Sequence, residues 1–216
     1  MFVTLYSDVL PLIESKYSKT TTLIFRQQIQ PWHPSSTLVH EAALAVLKIS
    51  PGKFWEFSNA LFKDQKAYFD ESLFDEGRNA TYKRLAALGK SVGVDEGKMY
   101  DMLKIEHGKG EAENAGNEVT NDLKVLVKMA RLVGVHVSPT VIFDGVGCIV
   151  RYTVYTLIIV LRLSTMRLLA RGARRNGSRG WRRTAPSKLF SRAQANDLVM
   201  NEYDICPCSC LFVCKD

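Results

Sequence analysis

The chain has 216 residues, of which 46% are hydrophobic, a composition typical of a globular protein with a sizeable core. The longest apolar run, residues 153–161, ends at Arg162 and is too short for an ordinary membrane-spanning helix. The first residues lack the basic region and cleavage site of a secretory signal, so we expect a cytoplasmic location by default. The formal net charge of +7 would suggest an anionic partner if it were spread over one domain.

The charge is unevenly distributed along the chain. Residues 1–146 carry 17 Lys and Arg against 18 Asp and Glu, whereas residues 147–216 carry 12 against 4. All five cysteines also lie beyond residue 147. We therefore divide the chain into an almost neutral region, 1–147, and an Arg- and Cys-rich tail, 148–216, and interpret the two separately.

The first region opens with a helix and a strand. Apolar residues recur there at three- to four-residue spacing, which predicts an amphipathic helix in which Pro11 marks a bend or an irregular end. They are Phe2, Leu5, Val9 and either Leu12 or Ile13. Residues 21–29 are β-branched and apolar in their first half, which predicts a strand that ends before Pro31.

Residues 36–132 have a helical pattern throughout. Breaks at residues 50–52, 75–77, Gly89, Gly93 and the polar stretch 106–116 divide this region into four or five predicted helices. Ser50 and Asp95 are candidate N-caps. Two apolar stripes predict helix faces turned toward a core. They are Leu85, Leu88 and Val92, and Val119, Leu123, Leu126 and Ala130.

The first region closes with a predicted hairpin. A proline loop leads into the apolar run 141–143, and Asp144-Gly145 is a strong signal for a turn back into a second strand. A strand, a helical block of about a hundred residues and a further strand predict an α/β fold with a large all-helical insertion at about 36–132.

Two motifs resemble the DsbA-like thioredoxin-fold family. In residues 134–145, Val-Ser-Pro-Thr leads into an apolar strand and Asp-Gly, which resembles the loop before that family's penultimate strand. Residues 23–34 end in Gln-Pro-Trp-His-Pro and are similar to the same region of eukaryotic thioredoxin-like proteins. The resemblance covers about residues 1–145 and implies a thioredoxin-like fold.

The resemblance also implies a binding loop. Pro139 matches the family's cis-proline, which turns the preceding backbone outward so that an extended peptide can pair with it as an added strand. Val137, Ser138 and Pro139 are thus the substrate-binding residues that the resemblance implies, with extended peptides or proteins as partners.

The family's catalytic motif is missing from this sequence. Its Cys-Pro pair lies on a central strand just before the helix that matches residues 1–17, and no cysteine occurs here before Cys148. We therefore expect an incomplete sheet, in which residues 21–29 and 141–143 lack backbone partners, and no catalytic residue or cofactor. The family's activity, thiol-disulfide oxidoreduction, is expected to be lost, and a non-enzymatic peptide-binding module is the alternative function.

The tail departs from the family pattern. Residues 154–161 fit either the hairpin's returning strand or an amphipathic helix, and we expect disorder beyond Arg171. We favour a solvated linker for the arginine run near Trp181 over a nucleic-acid or membrane-surface site. One hypothesis explains the change at residue 147: the tail arises from a shifted reading frame, an unspliced intron or an aberrant gene model, and Met1 is an internal start.

Four clustered cysteines end the chain. Cys206, Cys208, Cys210 and Cys214 are weak candidates for a zinc or redox site, because thiolates bind zinc but structural sites usually separate two pairs of ligands. We favour exposed thiols on an unstructured end.

Two histidines on the first region draw structural interpretations. His33 has no partner at matching spacing, so we interpret it as a hydrogen-bonded structural residue. His40-Glu41 lies on a predicted helix without a second histidine four residues later, so the zinc-protease signature is absent.

Overall fold

The computed structural model describes residues 2–19, 21–106, 108, 113–135, 137–143, 146–149 and 210–215. These residues belong to one compact unit that comprises 1–154 and 206–216. Among the described helices, none has the length and apolar content to cross a bilayer. The predictions for residues 154–161, the disordered stretch and the arginine run all lie outside the described residues.

The N-terminal helix forms as the apolar spacing predicts. It runs through α1 (Phe2–Thr4), a π-helical stretch (Leu5–Val9), α2 (Leu10–Leu12) and a second π-helical stretch (Ile13–Tyr17). Phe2, Leu5, Val9 and Ile13 are buried. The chain continues as helix through Pro11, with the wider π turns on both sides of the α2 turn that contains it.

Aromatic side chains fix this helix to the rest of the molecule. Phe2 stacks on Phe62 at a centroid distance of 4.3 Å and meets the edge of Phe25 at 5.6 Å. Trp55 and Phe54 complete the cluster around Phe25. Such contacts add roughly 0.5–1.5 kcal/mol per pair beyond the burial of apolar area. The cluster joins the N-terminal helix, the first strand and α4 (Phe54–Lys63).

The predicted helical block contains five α-helices. They are α3 (Pro34–Ile49), α4, α5 (Arg78–Ser91), α6 (Glu96–Leu103) and α7 (Thr120–Leu132). Short 3₁₀ turns lie at Pro51–Lys53, Gln65–Tyr68 and Glu71–Leu73. The core lies among these helices, and its largest fully buried members include Phe57, Tyr68, Tyr82, Leu85, Met99 and Leu103.

Two local expectations for this block are wrong. Gly89 does not end a helix but lies inside α5, where a Cβ atom would stand 2.5 Å from the sulfur of buried Met99. The glycine therefore allows α6 to approach α5 closely. Ser50 makes no side-chain capping bond, whereas the Asp95 carboxylate accepts from the Lys98 amide at 2.9 Å, as predicted.

The strands form one four-stranded sheet in the order β1-β4-β2-β3. They are β1 (Thr22–Gln27), β2 (Thr140–Phe143), β3 (Val146–Ile149) and β4 (Cys210–Lys215). β2 and β3 pair antiparallel with Phe143 opposite Val146, so the hairpin predicted from Asp144-Gly145 is present. It returns earlier than expected, because β3 includes Gly147 and Cys148.

β4 corrects two expectations about the sheet and the tail. We expected β1 and β2 to lack backbone partners, but β4 pairs antiparallel with β1 and parallel with β2. The last cysteines, expected on an unstructured end, lie in this strand at positions 210 and 214. The run Leu211–Val213 supplies apolar residues of the kind that favour strands.

Candidate functional site

The end of α7 positions the proline loop. Gly134 has a positive φ of 71°, and its amide and that of Val135 donate back to the carbonyls of Arg131 and Ala130 at 3.1 and 2.9 Å. This is the usual way to end a helix with a glycine in the left-handed conformation. The chain then passes through Val137 and a cis Ser138–Pro139 bond into β2.

Hydrogen bonds hold this loop against the end of β1. The Gln28 side-chain amide donates to the Val135 carbonyl at 3.3 Å, and the Thr140 hydroxyl donates to the Val137 carbonyl at 2.5 Å. Strand pairing in β2 begins at Thr140. The predicted binding residues, Val137, Ser138 and Pro139, therefore lie just before the first paired residue of β2.

The first turns of α3 pack beneath the same end of β1. The Gln30 amide donates to the Ser36 hydroxyl at 3.0 Å. One helical turn later, the buried His40 ring hydrogen-bonds to the Gln28 backbone. Burial lowers the pKa of His40 to about 4, although that hydrogen bond opposes the shift. His40 is thus a neutral side chain near pH 7.

Buried polar atoms without hydrogen-bond partners are concentrated around these three segments. Six of the eight such atoms in the described residues lie there, and the other two are Asn59 Oδ1 and Glu76 Oε1. The six are Gln27 Oε1 and Nε2, Gln28 Oε1, Ser35 Oγ, His40 Nε2 and Ser138 Oγ. We call the end of β1 with the residues after it (27–30), the start of α3 (residues 35–40) and the loop 137–139 the junction. Most buried polar groups in proteins pair with protein atoms or with ordered water, so the junction has donors and acceptors that its own side chains do not fill.

Exposed apolar side chains flank the junction. Trp32 is 58% exposed and Val137 is 39% exposed. Next to Trp32, His33 Nδ1 lies 3.1 Å from an Asp70 carboxylate oxygen, which agrees with its interpretation as a hydrogen-bonded residue. Residues 1–147 include no cysteine, but the pairing of β4 with β1 places Cys210 opposite Gln27 of the junction.

Glu41 forms a second polar cluster on another side of α3. Its side chain is fully buried, and four side chains donate to its carboxylate. They are the Tyr82 hydroxyl, Arg78 Nη2 at 3.1 Å, Asn117 Nδ2 at 3.2 Å and Thr120 Oγ1 at 2.7 Å. Burial raises the pKa of Tyr82 well above its usual range, and the Glu41 charge adds to the shift, so the phenol stays a donor.

Asn117 links this Glu41 cluster to the start of α7. Its side-chain amide also donates to the Leu103 carbonyl at 3.1 Å, and its side-chain oxygen accepts from the Thr120 amide at 3.1 Å. In return, the Thr120 hydroxyl accepts from the Asn117 amide at 2.9 Å. Asn117 therefore caps the start of α7, where the N-cap residue Val119 makes no side-chain capping bond. Local sequence patterns did not lead to a prediction of this cluster, although a single glutamate within the largely apolar run 39–46 indicates a buried polar site.

The terminal cysteines do not assemble a metal site in the described residues. Cys210 and Cys214 are four positions apart on β4, which separates their Cα atoms by about 13 Å. A Zn–S bond is only about 2.3 Å long, so one zinc ion cannot reach both thiolates while β4 is extended. Cys206 and Cys208 lie outside the described residues, and within those residues no cluster of His, Cys, Asp or Glu could hold a metal ion.

The comparisons with known proteins give no family, since no family model, curated protein or solved structure matches this chain.

The Glu41 cluster should dominate the stability of the helical block. Glu41→Ala removes the buried acceptor that four side chains share and leaves the Tyr82 hydroxyl without its acceptor, so we expect the free energy of unfolding to fall by about 3–5 kcal/mol. Glu56→Ala is the matched control, because it removes only an exposed ion pair with Lys53 and should cost no more than about 1 kcal/mol. Urea denaturation followed by circular dichroism measures both. Equal losses would contradict the central role of Glu41.

His40 should make stability depend on pH. Its pKa is about 4 when folded and about 6.5 when unfolded, so the unfolded chain takes up the proton first as pH falls. The contribution is complete above pH 6.5 and is lost toward pH 4, by about 3 kcal/mol in all. His40→Gln cannot be protonated and should flatten the curve over this window. Parallel curves for the two proteins, measured by urea denaturation at a series of pH values, would rule out this effect.

Proposed function

We propose that this chain is a DsbA-like thioredoxin-fold domain that binds extended polypeptide at the junction without thiol chemistry. The observation that carries the proposal is the loop with the cis Ser138–Pro139 bond, which lies directly before the first paired residue of β2 and exposes Val137. An extended peptide can pair with backbone groups in such a position.

The position of the loop supports an added strand. Within the described residues, Val137–Pro139 precede the first residue of β2 that pairs with β3 or β4, so an incoming segment can pair with the loop backbone there. Exposed Val137 and Trp32 offer apolar contacts for alternate side chains of the bound segment. Backbone pairing of this kind tolerates many sequences, so the proposed ligand class is unfolded or extended polypeptide.

Binding can be measured with a probe that cannot exchange disulfides. The fluorescein-labelled insulin B chain, with its cysteines carboxyamidomethylated, should bind the full chain, as followed by fluorescence anisotropy. Val137→Asp places a charge in the proposed contact and should weaken binding about tenfold, or about 1.4 kcal/mol. Val3→Asp is the matched control, because Val3 is 37% exposed on the N-terminal helix, outside the junction, and the same change there should leave binding within about twofold.

Two outcomes would contradict the proposal. Equal affinities for the two variants would remove the junction as the binding surface. Acceleration of insulin reduction by dithiothreitol would show an activity that the proposal excludes, and loss of that rate on deletion of residues 204–216 would assign it to the terminal cysteines instead.

A further inference from the structure

A second exposed surface of the described residues lies along α7, next to a groove that Gln27 of the junction also lines. The outer side of α7 exposes large apolar residues, with Leu132 85%, Val133 63% and Val125 54% exposed. Such a contiguous apolar surface on a small domain usually marks an interaction site. Beside it lies a groove of about 410 Å³, which we call the α7 groove, between β1, the end of α3 and α7.

The α7 groove carries opposite charges at its two ends. Asp122 lies in the first turn of α7, and Arg26 of β1 lies against Met129, with Nη1 3.9 Å from the sulfur. Asp122 and Met129 are seven positions apart on α7. Asp122 and the Arg26 guanidinium beside Met129 are therefore about 10 Å apart along the helix. Apolar residues such as Val125, Leu126 and Leu47 line the space between them.

Each of these two charged side chains can bind a further partner. Within the part of the chain that the structure describes, Arg26 has no carboxylate partner. Asp122 accepts from Lys48 at 2.6 Å through one carboxylate oxygen, and its side chain is half exposed. A carboxylate accepts several hydrogen bonds, so Asp122 can take a second cation while it keeps Lys48.

This arrangement is complementary to itself. A two-fold axis near Val125 would lay two α7 helices antiparallel, with Asp122 of each copy against Arg26 of the other. The apolar residues between the charges would then be buried from both sides, as a two-fold interface requires the same patch on both copies. We propose that the α7 groove is the interface of a homodimer, with a second copy of this chain as its occupant.

The charge pairs allow a sharp test of this interface. Arg26→Asp puts two acids at each contact of the symmetric pair, and Asp122→Arg puts two arginines there, so each variant alone should be monomeric. A mixture of the two variants restores an Asp–Arg pair at both contacts and should dimerise again. Recovery in the mixture also shows that both variants are folded.

Light scattering during size-exclusion chromatography gives the mass of each sample. The unaltered full chain at micromolar concentration should have twice the chain mass of 24.3 kDa, each variant the single mass, and the equimolar mixture the double mass again. A monomeric unaltered chain would overturn the proposal and leave the tail or a different protein as the occupant. Dimeric single variants, or a mixture that stays monomeric, would overturn it as well.

Discussion

The buried carboxylate of Glu41 is the interaction on which the rest of the structure depends. It joins α3 to α5 through Arg78 and Tyr82, and to the start of α7 through Asn117 and Thr120. A buried charge is tolerated only when its donors are in place, so these elements must be arranged together. On another side of α3, Ser36 and His40 contact the residues that follow β1. The far end of α7 leads into the loop 137–139. The Glu41 cluster therefore sets the distance between two segments of the junction.

The junction and the α7 groove share a physical cause. At both places the packing of helices and strands is incomplete. Polar atoms are unpaired at the junction, and apolar side chains are exposed to solvent at the α7 groove. The loop 137–139 lies beside the first paired residue of β2, where an extended backbone can pair, whereas an apolar surface is best covered by another apolar surface. This difference is why we assign an extended polypeptide to the junction and a second folded copy to the α7 groove.

Local sequence signals predicted most elements of the first region. The apolar spacing of Phe2, Leu5, Val9 and Ile13 set the N-terminal helix, and Asp144-Gly145 set the hairpin, because helix faces and tight turns depend on neighbours in sequence. The same signals failed at Gly89, where contact with Met99 outweighs the weak helix propensity of glycine.

Long-range pairing was beyond such signals. β4 pairs with β1, whose residues lie nearly two hundred positions earlier in the chain. For the cysteines in and before β4, local signals instead favour exposed thiols on an unstructured end. The Glu41 cluster joins residues 37–79 positions apart, so no single window of sequence contains it. For the site, the resemblance supplied Val137, Ser138 and Pro139, but only the structure placed Gln28 against the start of this loop and His40 against Gln28.

Hydrogen exchange with and without the alkylated insulin B chain tests the central claim most directly, because it reports on each backbone amide at the proposed surface. The account predicts that the probe slows exchange in residues 27–40 and 137–143 and leaves α7 unchanged. Protection confined to α7 or β4, or no protection at all, would contradict it.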